Sequence, residues 1–220
     1  KVTGVQTCAL PISENALLKT LLKNNADHGC LIVMEVKTGA IKAIANLGRS
    51  RDSSYWEKYN YALGEAHEPG STFKLASMMA LLEDGYVKLS DTIDTEHGRK
   101  MYFNQTMKDA EDHGESRVTV KKCFAISSNV GVSKLVYNNY FKQPEKYLQH
   151  LRSWELDQPV GVDIPGERVP YIKNTNDKLW SRVSLPWMSV GYELNITPIR
   201  LLTFYNAVAN NGVMVKPYII

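Results

Sequence analysis

Leu17, Leu18, Leu21 and Leu22 recur at helical spacing in an otherwise polar stretch, which predicts an amphipathic helix from a Ser13 cap to about Asn25. Two apolar runs then change the period. Cys30 to Val36 and Ile41 to Asn46 read as strands, joined by Lys37-Thr38-Gly39-Ala40 with the glycine in a hairpin turn. Residues 47–68 are polar and aromatic (Tyr55, Trp56, Tyr59, Tyr61) and read as an ordered loop ending at the Pro69-Gly70 break. From about Thr72 to Glu83, Ala76, Met79, Ala80 and Leu81 mark a helix that stops at Gly85.

The next stretch, 86–117, is rich in turn residues. Thr119 caps a short helix to about Ile126, a second helix runs from near Asn129 to Tyr140, and a third from Pro144 to Leu156. Pro159, Pro165 and Pro170 make 157–176 a long loop. Thr197-Pro198 then starts a helix that ends at Asn211-Gly212. The apolar run from Val213 to Ile220 is expected to be a strand. Strands at both ends with helices between them predict an α/β protein of the α+β type, its sheet closed by segments distant in sequence.

Both ends are unusual. Val2 to Ile12 shows no periodicity, and no apolar core follows Lys1, so it is not a secretory signal. It resembles the translation of a sequencing adapter, so residues 1–12, Cys8 included, are expected to be non-native, with the domain over 13–220. The final apolar run stops without a polar tail, as a fragment would.

Composition narrows the class without naming a chemistry. At 220 residues, 44% apolar and 22% charged, the chain has globular composition and can bury a core. A net charge of +3, with no basic run beyond pairs such as Lys121-Lys122, argues against a nucleic-acid partner. No apolar stretch approaches the ~20 residues of a membrane helix. Cys8, Cys30 and Cys123 lack disulfide-framework or zinc spacing, and the five histidines show no paired ligand spacing, so no metal or cofactor is implied.

Two short motifs carry chemistry. In Ser71-Thr72-Phe73-Lys74 the i,i+3 spacing at a helix start puts an amine beside a hydroxyl, one turn deeper. Burial and the helix dipole would favour the neutral amine, which can activate the serine. About one S-x-x-K is expected by chance at this serine and lysine content, so the tetrapeptide alone is equally a capped helix beside a surface lysine. Ser127-Ser128-Asn129, between two helices, offers a hydroxyl that can relay protons and an amide that can hold a substrate. Alone it too is ordinary inter-helix sequence. Ser13-Glu14-Asn15 also fits S-x-N but precedes Ser71.

Together they match a known signature. Glu68-Pro69-Gly70-Ser71-Thr72-Phe73-Lys74, then Ser127-Ser128-Asn129-Val130-Gly131, then Gly191-Tyr192-Glu193 leading to Thr197-Pro198, resembles class B penicillin-binding proteins over about residues 14 to 220. Within that family the likeness is to the cell-division (septal) peptidoglycan D,D-transpeptidases. The resemblance implies a penicillin-binding-protein/β-lactamase-like transpeptidase fold, an incomplete antiparallel sheet flanked by a helical subdomain. It implies Ser71 as nucleophile, Lys74 as base, Ser127 as proton relay, Asn129 as substrate-binding residue, and the Ser71 backbone N–H as half of the oxyanion hole. Peptidoglycan stem peptides and β-lactam antibiotics would be its ligands, with cell-division proteins and a glycosyltransferase as further partners. The family sits on the periplasmic face of the inner membrane behind one N-terminal anchor.

One family motif is out of place. Lys37-Thr38-Gly39 precedes Ser71, whereas the family's K-T-G follows the Ser/Asn triplet, so it reads as the hairpin turn. No other K-T-G occurs downstream. The chain by itself is therefore expected to be inactive and poorly folded, with a K-T-G-like strand beyond Ile220. Two other classes share the acylated serine. A β-lactamase needs a deacylating glutamate, and the nearest candidate, Glu145 in Glu145-Lys146-Tyr147-Leu148-Gln149, reads as a surface residue on a packed helix. A penicillin-sensing receptor binds without turnover, and spacing alone leaves it open.

Overall fold

The computed structural model describes residues 9–111 and 113–219. In chain order the elements begin with α1 (Ala9–Asn24), β1 (His28–Met34), β2 (Ala40–Arg49), β3 (Tyr55–Trp56) and α2 (Tyr61–Gly64). A 3₁₀ turn over Gly70–Phe73 leads into α3 (Lys74–Glu83). Next come β4 (Thr92–Asp94), β5 (Arg99–Tyr102), β6 (Gln105–Lys108) and β7 (Arg117–Thr119), then α4 (Val120–Ala125), α5 (Asn129–Tyr140) and α6 (Pro144–Ser153). Last are β8 (Tyr171–Ile172), α7 (Ser184–Met188), β9 (Leu194–Asn195), α8 (Pro198–Ala209) and β10 (Tyr218–Ile219). The chain divides into two compact units, one from the described parts of 1–67, 155–170 and 196–220, the other from 68–154 and 171–195.

The first unit is built on a sheet of order β1-β2-β10, with β3 also pairing β2. Strands β1 and β2 are antiparallel from His28 opposite Gly48 to Met34 opposite Ile41. Lys37-Thr38-Gly39 lies in their turn, where Gly39 takes φ 78° and so needs no side chain. Alternation sorts the strand residues to two faces. Ala45 and Leu47 meet Leu17 and Leu21 of α1 on one face and Ile44 lies on the other, and the register shift between Val33 and Met34 turns Ile41 to that second face, against Leu63, Val162 and Ile199. Thr197 accepts the Arg200 N–H as the α8 cap, and Pro198 occupies the first turn, as the sequence predicts. Arg200 is 2% exposed; its guanidinium donates to the carbonyls of Gln158 (2.8 Å) and Pro159 (2.7 Å), tying the 155–170 segment to α8.

In the second unit α5 is the central helix, and Val130, Val132, Val136 and Tyr140 are fully buried along it. Helices α3, α4, α6 and α7 pack around it. Ser77 of α3 joins the Tyr147 hydroxyl (2.7 Å) and donates to the Ser189 carbonyl (2.7 Å), so its buried polar atom is satisfied. Tyr147, Leu148 and Leu151 form the expected packing face of α6 and are fully buried.

Several element boundaries differ from the sequence reading. α1 starts at Ala9, so Ser13 is a buried residue inside the helix rather than its cap. Of the stretch expected to be non-native, residues 1–8, Cys8 among them, lie outside the described residues. The loop-rich 86–117 carries four short strands paired as β4–β7 and β5–β6, too brief for an alternation signal. α7 had no periodic signal either, being only five residues long. α6 ends at Ser153, because Glu155 turns to φ 54°. Of the described part of the terminal apolar run, 213–219, only Tyr218–Ile219 is strand, paired parallel to Ala40 and Ile41. Pro217 lacks the N–H a longer ladder would use, and this pairing is the one parallel element in an otherwise antiparallel sheet among the described residues.

Candidate active site

Ser71 lies in the 3₁₀ turn that runs into α3, and Lys74 is the first residue of that helix. The turn begins at Gly70, whose φ of 57° a side chain would strain. Ser71 is exposed and Lys74 is 1% exposed, so the hydroxyl faces outward and the amine lies beneath it. The Lys74 amine is within 3.1 Å of the Ser71 hydroxyl. It also donates to the Ser127 carbonyl (2.5 Å) and the Ser127 hydroxyl (3.0 Å).

Ser127 sits at the α4–α5 junction with φ 56°, an uncommon backbone for a residue with a side chain. Two bonds close that junction: Ser127 N–H to Phe124 O (3.0 Å) and Ser128 N–H to Cys123 O (3.1 Å). Ser128 then caps α5 by accepting from the Gly131 N–H (2.9 Å). Gly131 is required by packing, since a Cβ there would stand 2.2 Å from the Cys123 sulfur. Asn129 is half-buried, and its amide nitrogen donates to the Lys108 carbonyl (2.8 Å).

Gly191-Tyr192-Glu193 reaches the same turn. The Gly70 N–H donates to the Gly191 carbonyl (3.1 Å), and the Glu193 N–H donates to the Glu68 carboxylate (2.9 Å). Glu193 in turn pairs with Lys173 at 2.7 Å. Gly191 has φ +90°, and a Cβ on it would lie 2.0 Å from the Gly70 carbonyl oxygen. Backbone cannot move aside as a flexible side chain can. Gly191→Ala is therefore expected to cost roughly 2–4 kcal/mol from overpacking and strain, measured by denaturant unfolding. A stability change below about 0.5 kcal/mol would contradict the close approach.

Burial pulls the Lys74 amine down from 10.5 to about 8, against the opposing pull of the Asp109 carboxylate. About a tenth of the lysine is then neutral at pH 7. A neutral amine keeps two N–H donors for Ser127 and presents a lone pair to the Ser71 O–H, which is the arrangement of an activated serine. The Cys123 thiol, fully buried, is pushed up to about 11 chiefly by burial and stays protonated. Cys30 and Cys123 are both free.

Of the residues singled out from sequence, Ser71, Lys74 and Ser127 share one hydrogen-bonded cluster, and Asn129 starts the helix beside it. Lys37-Thr38-Gly39 and Ser13-Glu14-Asn15 belong to the other unit. Glu145 is engaged by Thr175 and by Arg152 (3.3 Å), and its side chain is 44% exposed, as a surface residue's would be. Sequence reasoning missed Asp109, whose carboxylate accepts from the Ser128 hydroxyl (2.8 Å) and the Val130 N–H (2.8 Å). No spacing relates a lone aspartate after a short strand to a helix start nineteen residues later. Among the described residues no cluster of His, Cys, Asp or Glu could hold a metal ion, and no helix is long and apolar enough to cross a membrane.

The penicillin binding protein transpeptidase domain matches residues 29–220. Penicillin-binding protein PbpB of Mycobacterium tuberculosis is 31% identical over 206 residues, which cover 90% of this chain and 29% of that protein. Peptidoglycan D,D-transpeptidase FtsI of Escherichia coli is 27% identical over 196 residues, covering 86% of this chain and 32% of that protein. The chain thus spans about a third of the length of these curated relatives. In fold it resembles the apo TP domain of Burkholderia pseudomallei penicillin-binding protein 3, with TM-score 0.81 and 23% identity, covering 97% of this chain and 60% of that one. A peptidoglycan glycosyltransferase structure from Burkholderia ambifaria gives TM-score 0.83 at 25% identity, covering 97% and 63%.

Proposed function

This chain belongs to the penicillin-binding-protein transpeptidase family, and from that premise we propose that the protein carrying it is a serine D,D-transpeptidase that cross-links peptidoglycan stem peptides. The observation that carries the reading is the Lys74 amine held between two serine hydroxyls, at 3.1 Å from Ser71 and 3.0 Å from Ser127. Ser71 Oγ attacks the carbonyl between the two terminal D-alanines of a donor peptide, and Lys74 Nζ takes the hydroxyl proton. Ser127 passes that proton to the departing nitrogen, so D-alanine leaves with a neutral amine and an ester remains on Ser71. The Ser71 N–H, at the start of the helical segment, stabilises the oxyanion, and Asn129 holds the donor's amide. An amine from a neighbouring strand then attacks the ester, forms the cross-linking amide and returns the serine. A β-lactam acylates the same oxygen, because its strained amide resembles the D-alanyl-D-alanine bond.

The cell-division role, the periplasmic face of the inner membrane and the partnership with division proteins and a glycosyltransferase are part of the same proposal. They rest on the kinship with PbpB and FtsI proteins. A lactamase is disfavoured by Glu145, whose carboxylate is already held by Thr175 and Arg152.

The test uses the protein as its gene encodes it. Labelling by a fluorescent penicillin should map to Ser71, and its rate should fall about tenfold per pH unit below about 8 and level off above, as the neutral fraction of Lys74 does. Slow deacylation with transfer to a D-amino acid supports a transpeptidase. Fast hydrolysis, or a stable adduct with no transfer, would replace it with a lactamase or a sensor.

A further inference from the structure

We propose that Asp109 is a positioning residue for acyl transfer, its carboxylate gripping both sides of Asn129 so that Ser127 and Asn129 stay in register with Lys74. The inference rests on the transpeptidase reading above. Two consecutive residues hold three. The Lys108 carbonyl accepts from the Asn129 side chain, while the two Asp109 oxygens accept from Ser128 Oγ and Val130 N–H, each at 2.8 Å. This grip falls on the first turn of α5, where otherwise unpaired N–H groups and the helix dipole favour an anion. Bonds to a charged acceptor are the stronger kind.

The clamp is itself anchored. Asp109 follows β6, its N–H donates to the Gly98 carbonyl (2.9 Å), and β6 is paired along its length with β5. Gly98 takes φ +72°, and a Cβ there would sit 3.2 Å from that of Asp109, so this turn also needs a glycine. The residue that most needs such support is Ser127. Its left-handed backbone persists only while neighbours over-determine it, and both its carbonyl and its hydroxyl accept from Lys74. Releasing Ser128 would let Ser127 relax and draw its hydroxyl away from the amine.

Asp109 also acts through charge. The ionisable groups bearing on Lys74 are Asp109, on the segment after β6, whose carboxylate favours the ammonium against burial, and the buried Cys123 thiol on α4, which stays neutral while Lys74 titrates. Removing the carboxylate's charge while keeping an acceptor oxygen should make the amine easier to deprotonate.

The experiment measures the second-order acylation rate by a fluorescent penicillin between pH 5 and 10 for the wild-type protein, Asp109→Asn and Asp109→Ala, with thermal melting to normalise to folded protein. Asp109→Ala should lose about tenfold or more at the high-pH plateau through misplacement. Asp109→Asn should melt close to wild type, keep a plateau between the other two, and move the acid limb down by about half a pH unit. A plain helix cap would lower melting temperature and leave the limb in place. Unchanged plateau and unchanged limb per folded molecule in Asp109→Asn would overturn the proposal, even if Asp109→Ala failed to fold. If the wild-type protein is not labelled on Ser71, the transpeptidase reading fails first and this inference falls with it.

Discussion

Ser71→Ala is expected to abolish covalent labelling by a fluorescent penicillin while leaving the melting temperature within about 2 °C of wild type. Removing one exposed hydroxyl deletes no packing and leaves no buried group unsatisfied except a single acceptor of the Lys74 amine. Two bonds from Lys74 to Ser127 remain, so the amine stays in place. The reaction has no substitute nucleophile in the cluster. Ser127 is the other hydroxyl bonded to the amine, but its carbonyl and side chain are both committed to it, and it does not sit at the start of α3, where the backbone N–H of Ser71 lies. The check is gel fluorescence with peptide mapping. Persistent labelling of the Ser71→Ala protein at the wild-type rate would remove Ser71 as nucleophile.

Lys74→Met carries the second large effect. Methionine is close to lysine in length and keeps the buried stem packed, so the fold should survive. Acylation should nevertheless fall by about 10²–10⁴, the usual range for loss of a positioned general base. The acid limb near pH 8 should vanish from what remains. A stability signature accompanies it. In the folded protein Lys74 releases its proton at about 8, whereas the unfolded side chain does so near 10.5, so between those values the unfolded state binds more protons. The Lys74 contribution to stability should therefore rise with pH across that window, by roughly 3 kcal/mol at most, against the opposite trend of the Cys30 and Cys123 thiols, which burial pushes up to about 11. Lys74→Met should flatten that rise, which denaturant melts at pH 8 and pH 10 would show. A Met variant that labels at the wild-type rate with an unchanged pH profile would exclude Lys74 as the base.

Much of the site was legible because its spacing is local. Ser71 and Lys74 are three residues apart on one helical segment, so the amine must lie one turn below the hydroxyl whatever the rest of the chain does. Thr119, Ser128 and Thr197 announced or bordered helix starts, and Thr119 and Thr197 cap as expected. Lys37-Thr38-Gly39 reads as a turn and lies in one, since a glycine between two alternating runs has few other uses. The errors are of another kind. A serine before a leucine stripe usually caps a helix, yet here the helix already includes Ala9 and Ser13 lies buried inside it. The terminal apolar run reads as a strand, but hydrophobicity does not reveal how many of its residues find a partner, and among the described residues two do.

The sequence by itself determined the chemistry on offer: a hydroxyl and an amine on one turn, a Ser/Asn triplet between two helices, and a glycine where the hairpin reverses. These follow from bond geometry and periodicity over a few residues, which any chain of this composition must obey. Tertiary structure alone decided which of these groups meet. That Lys74 is buried enough for its amine to lose a proton near pH 8, that Ser127 reaches it across fifty-three residues, and that Asp109 holds the far side of the triplet depend on packing around α5. Desolvation and long-range hydrogen bonding are properties of the folded interior, and no pattern along the chain encodes a distance through it.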